Sequence, residues 1–128
     1  MSAWRREALS HLPEFRSAIE GSDSPMAMWI EFHLRFDDAV AEGKWDLVDR
    51  LLRFAEWCVS DAGGALPNDT STAVAVAFYE HLPQKRSYWQ YFSKWFEKDQ
   101  FANLVPIFSY HLTDDDVDEL KRVYTDAA

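Results

Sequence analysis

The sequence predicts an all-α protein, one domain spanning residues 1–128, with six or seven helices packed as antiparallel hairpins. Three observations carry that prediction. Apolar residues recur at three- and four-residue intervals along most of the chain, the period of a helix face. No run of strict apolar–polar alternation is long enough for a strand. Start and stop residues (Ser24-Pro25, Gly43, Thr113 with Asp116) fall between the periodic stretches. A hydrophobic fraction of 48% with only 4 Gly and 5 Pro excludes disordered and collagen-like classes.

Taken in order, residues 2–20 form a first helical region broken at Leu12-Pro13, because a residue before proline is pushed out of the helical conformation. Gly21 ends it. Ser24 then caps a new helix with Pro25 at its first position. This second helix, 25–42, places Trp29, Ile30, His33, Phe36 and Val40 on an apolar stripe, and Gly43 stops it in the left-handed conformation. A third helix, 44–61, turns Leu47, Leu51, Phe54, Ala55 and Cys58 inward, widened by Val48, Leu52 and Val59. The one-glycine connection makes these two helices antiparallel neighbours, and the 26–60 pair resembles one α-solenoid unit.

Residues 61–69 read as a loop, with Asn68 to Thr70 as N-caps for a fourth helix, 70–82, that buries Val74, Ala77, Phe78 and Leu82. A fifth, 86–98, is crowded with Tyr88, Trp89, Tyr91, Phe92, Trp95 and Phe96. Asp99 caps a sixth carrying Phe101, Leu104, Val105 and Phe108, bent at Pro106. Thr113 with Asp116 resembles a capping box opening a last helix to Tyr124.

The balance of 13 Lys+Arg against 22 Asp+Glu, a formal charge of -9, disfavours a nucleic-acid or anionic membrane surface and favours a basic partner. A single cysteine excludes an intrachain disulfide or a cysteine-based zinc site. The charged N-terminus lacks a secretory apolar core, and no stretch approaches the roughly 18 apolar residues of a membrane span, so a cytoplasmic protein is expected.

Candidate chemistry is sparse. His11, His33, His81 and His111 occur in neither HExxH nor ExxH spacing; Glu7/His11 and His33/Asp37 are isolated pairs, so neither metal nor cofactor is expected. His33 reads as a hydrogen-bonded core histidine. Asp114, Asp115 and Asp118 spell DDxxD, a pattern that can hold magnesium at a diphosphate. At a helix start, however, capping and the helix dipole explain it. Cys58 reads as a packed, inert thiol. No nucleophile elbow or phosphate loop is present, so no catalytic residue is assigned and an enzyme is not expected. The cations and rings of 84–98 read as a solvated face over a core, the competing reading being stacking on single-stranded nucleic acid.

The acids are more informative. Asp46/Arg50 and Asp49/Arg53 have the i, i+4 spacing of helical ion pairs. Asp37, Asp38 and Glu42 differ, because they crowd the last turns of the second helix, where the dipole opposes negative charge and only Arg35 offers relief. Charge kept against local physics suggests use elsewhere.

Leu12-Pro13-Glu14-Phe15, FDDAVAEGKW from Phe36 to Trp45, Leu51-Leu52-Arg53-Phe54-Ala55-Glu56 and VAVAFYEHL from Val74 to Leu82 together resemble an uncharacterised bacterial family of small helical proteins, a domain of unknown function, over residues 12–95. That family carries no catalytic residues to transfer. Small acidic helical proteins of this kind are often similar to immunity proteins encoded beside bacterial toxins. The resemblance therefore implies a non-enzymatic protein that neutralises a basic toxin or effector by direct binding. Asp37, Asp38 and Glu42 would steer the partner and Trp45 would anchor it. The alternative is a small helical adaptor or assembly module, forming a homodimer through the 88–108 aromatics.

Overall fold

The computed structural model describes residues 2–60 and 69–127. Among them are eight α-helices and no strand, so the fold is all-α with a higher helix count than the six or seven expected. The chain divides into two compact units, Met1–Ala77 and Phe78–Ala128.

The first unit holds α1 (Ala3–His11), a 3-10 turn at Pro13–Phe15, α2 (Arg16–Gly21), α3 (Pro25–Ala41), α4 (Trp45–Val59) and α5 (Asp69–Val74). The break at Leu12-Pro13 falls where proline chemistry requires it. Ser24 caps α3, its hydroxyl accepting the Ala27 N–H at 3.1 Å with Pro25 at the first position. Gly43 ends the hairpin's first arm at φ 69°. The Lys44 N–H reaches the Ala39 carbonyl at 2.9 Å and the Gly43 N–H reaches Val40 at 3.1 Å, the paired bonds of a Schellman closure.

Helices α3 and α4 then run antiparallel, since Trp29 early in α3 stacks on Phe54 late in α4, ring centroids 5.5 Å apart. Both helices bury a continuous set: Met28, Trp29, Phe32 and Phe36 from one, Val48, Leu51, Leu52, Phe54, Ala55 and Cys58 from the other. Four expectations fail here. Ile30 is not on the buried stripe but 55% exposed, Val59 is 38% exposed, and Val40 and Leu47 are only partly buried. The spacing of α3 admits two registers, and the one burying the larger ring of Phe32 is adopted, because more apolar area leaves water that way. The expected loop at 61–69 and the Asn68 cap lie outside the described residues, apart from Asp69, which begins α5. Residues 75–79 continue from α5 as a π-helical turn, so the expected fourth helix is not one regular α-helix.

The second unit contains 3-10 turns at Leu82–Gln84, Arg86–Tyr91 and Ser109–His111, with α6 (Phe92–Trp95), α7 (Lys98–Phe108) and α8 (Asp114–Ala127). The expected helix over 86–98 is thus a 3-10 turn over Arg86–Tyr91 followed by one α-helical turn that ends at Trp95. Aromatic residues are weak helix formers, and the Trp89 indole N–H donates to the Pro83 carbonyl at 2.7 Å, fixing the turn from within the fold. Phe96 is extended, and its carbonyl accepts the Tyr124 hydroxyl at 2.7 Å. Glu97, not Asp99, precedes α7; Asp99 sits in its first turn, where the dipole favours an acid. Pro106 lies inside α7. The rings of Tyr88, Trp89, Phe92, Trp95, Phe96, Phe101 and Phe108, offered by the sequence as a dimer face, are core of this unit.

Candidate functional site

The acids singled out in the sequence gather at the corner between α3 and α4, in the first unit. Their local electrostatics depart from expectation. Arg35, the expected relief for Asp38, turns the other way and bonds Glu31 at 3.0 Å. Relief comes instead from Lys44, whose ammonium pairs with Glu42 at 2.8 Å across Gly43. The Lys44 pKa is raised, first by that hydrogen bond and the Glu42 charge, with a smaller contribution from the Asp38 charge. Asp37 is the least available acid: its side chain is 23% exposed and 3.8 Å from His33 Nε2. The Nδ1 of His33 lies 3.2 Å from the Ala77 carbonyl, the contact a partly buried histidine needs. Asp38 and Glu42 are exposed, Glu42 with Lys44 as its ion-pair partner, and Trp45, 46% exposed, opens α4 after Gly43.

The sequence reading missed the apolar half of this face. Ile30 and Leu34 are 55% and 59% exposed. With Asp38 they follow one another at four-residue spacing, which places all three on one side of α3. Two exposed aliphatic side chains thus lead along one side of α3 to Asp38. The signal was present in the sequence as a second aliphatic register of α3, with Ile30 and Leu34 four residues apart.

The remaining candidates sort differently. Asp46 and Arg50 pair at 2.9 Å and Asp49 and Arg53 at 3.5 Å, as their spacing predicts. In the DDxxD segment the Thr113 hydroxyl accepts the Asp116 N–H at 3.1 Å, the first half of a capping box. The Asp116 carboxylate is directed to Arg86, which also bonds Glu119 at 3.0 Å and lies 4.4 Å from the Trp89 ring centroid. That cation of the 84–98 stretch is therefore engaged within its own unit. His81 and His111, distant in sequence, stack at 4.7 Å, with His111 3.3 Å from Glu80. Among the described residues no group of three or more His, Cys, Asp or Glu could hold a metal ion. Cys58 is fully buried, and burial pushes its thiol up to about 12, the Trp29 indole only partly opposing the shift, so it is a poor nucleophile. Among the described residues no helix is long and apolar enough to cross a membrane.

The model of a domain of unknown function (DUF7674) matches residues 5–102. The chain belongs to this family. The DUF7674 match takes in the whole α3–α4 corner and reaches beyond the 12–95 span over which the sequence resembles such a family. It stops within α7, so α8 lies outside the DUF7674 segment. No curated protein and no solved structure matches the chain.

Proposed function

We propose that the protein is a non-enzymatic binding protein whose α3–α4 face docks on a basic protein partner, most concretely as a cytoplasmic immunity protein neutralising a bacterial toxin. The observation that carries this reading is the exposed row of Ile30, Leu34 and Asp38 on one side of α3, followed at the α3–α4 corner by exposed Glu42 and Trp45. Exposed aliphatic and indole surface supplies contact area at the centre of an interface. Carboxylates at its edge raise the encounter rate with a positive partner and suppress wrong ones. A net charge of -9 extends the attraction beyond the contact itself.

Co-expression with the product of the neighbouring gene tests the reading. Wild-type protein should restore growth in cells arrested by that product, and Leu34→Asp should fail to restore it while remaining folded. A neighbour that is harmless alone, or rescue undiminished by the substitution, would defeat the neutralisation reading.

A further inference from the structure

The second unit carries an open groove of about 660 Å³ between α7 and α8. Its floor is the stacked pair Phe101 and Tyr124, ring centroids 3.8 Å apart and nearly parallel. Ala102, Val105 and Pro106 form one wall, and the charged side chains lining it are Lys98 and Lys121. None of the lining residues is acidic, although the chain as a whole carries a charge of -9. The volume lies within the range of about 300–1,000 Å³ typical of small-molecule sites. The Tyr124 hydroxyl donates to the Phe96 carbonyl and the Thr125 hydroxyl to the Lys121 carbonyl, which leaves the two lysines as the charged groups able to meet a ligand's charge. Lysine stems lie along apolar surface while their ammonium heads reach a rim, the arrangement suited to a ligand with an apolar body and an anionic head.

We propose that this groove binds an amphipathic monoanion, a carboxylate on a medium-length alkyl chain, with the chain on Phe101, Val105 and Pro106 and the headgroup at Lys98 and Lys121. This site is separate from the α3–α4 face and does not depend on the function proposed for it.

Calorimetric titration with decanoate, decanol and decyltrimethylammonium tests the assignment. Decanoate should bind saturably at one site per chain, at least tenfold more tightly than decyltrimethylammonium. Lys98→Ala with Lys121→Ala should weaken it about tenfold, and Ala102→Trp should abolish it by filling the groove. Should Ala102→Trp misfold, methyl resonances of Ala102 and Val105 in the wild type should still shift on decanoate addition. Absence of saturable binding, equal affinity for the anionic and cationic chains, or unmoved methyl resonances would each overturn the proposal. So would capture of an acidic amphipathic peptide in the groove while decanoate fails, since the occupant would then be a protein segment.

Discussion

Arg50 grips Glu14 with both arms of its guanidinium, Nη1 donating to one carboxylate oxygen at 2.7 Å and Nη2 to the other at 2.6 Å. Nη1 also donates to the His11 carbonyl at 3.0 Å, so one side chain of α4 secures the proline-containing turn that follows α1. The Arg50 hydrogen bond holds the Glu14 carboxyl below its ordinary value, against the opposing effect of burial. A lowered folded value means this stabilisation is fully present above the unfolded value and is lost as pH falls through the folded one. Arg50→Ala should cost about 1 kcal/mol at neutral pH, modest because both partners are partly exposed. Glu14→Gln should remove the acid-side loss, so urea melts of wild type and Glu14→Gln should differ at pH 7 and converge at acid pH.

Gly43 isolates a backbone effect. A Cβ there would meet only the Trp45 indole nitrogen at 3.9 Å, so space is not the obstacle. The positive φ is, and Gly43→Ala should cost about 1–2 kcal/mol from the left-handed backbone alone. Thermal unfolding checks it, with Gly21→Ala as comparison because nothing lies within 4 Å of a Cβ there and no positive φ is present.

Neighbouring apolar residues of α3 should behave oppositely. Phe32→Ala opens a cavity in a fully buried site and should cost about 3–5 kcal/mol. Ile30→Asp and Leu34→Asp touch exposed positions and should change stability by no more than about 0.5 kcal/mol. Denaturant midpoints of the three variants distinguish a binding face from a core face. Losses of several kcal/mol at Ile30 or Leu34 would place them in the core.

Cys58 should resist thiol reagents in the folded protein and react fully once unfolded. Its thiolate is disfavoured by burial, and its surroundings exclude the reagent. Labelling with a chromogenic disulfide in native buffer and in urea measures both rates. Rapid native labelling would contradict the packing of Trp29 and Cys58.

The first unit was largely legible in the sequence. Ser24-Pro25 and Gly43 announce backbone states that few other residues adopt, and the i, i+4 acid–base pairs of α4 follow from helix geometry alone. The second unit was less legible, because the Trp89 bond to Pro83 and the Tyr124 bond to Phe96 are tertiary events that no local spacing encodes. At the α3–α4 corner, Asp37, Asp38, Glu42 and Trp45 could be named from the sequence, whereas the proximity of Asp37 to His33 could not. The Lys44–Glu42 pair, the turn of Arg35 toward Glu31 and the exposure of Ile30 depended on choices between local alternatives that spacing leaves equal.

Association kinetics of the purified protein with the neighbouring-gene product, followed across ionic strength, test the docking face most directly. The on-rate should fall steeply with salt. Asp38→Lys with Glu42→Lys should slow association at least tenfold and flatten that dependence, while Leu34→Asp should chiefly speed dissociation. An on-rate and a salt slope unchanged by the double reversal, with dissociation unchanged by Leu34→Asp, would contradict the assignment of this face to partner binding.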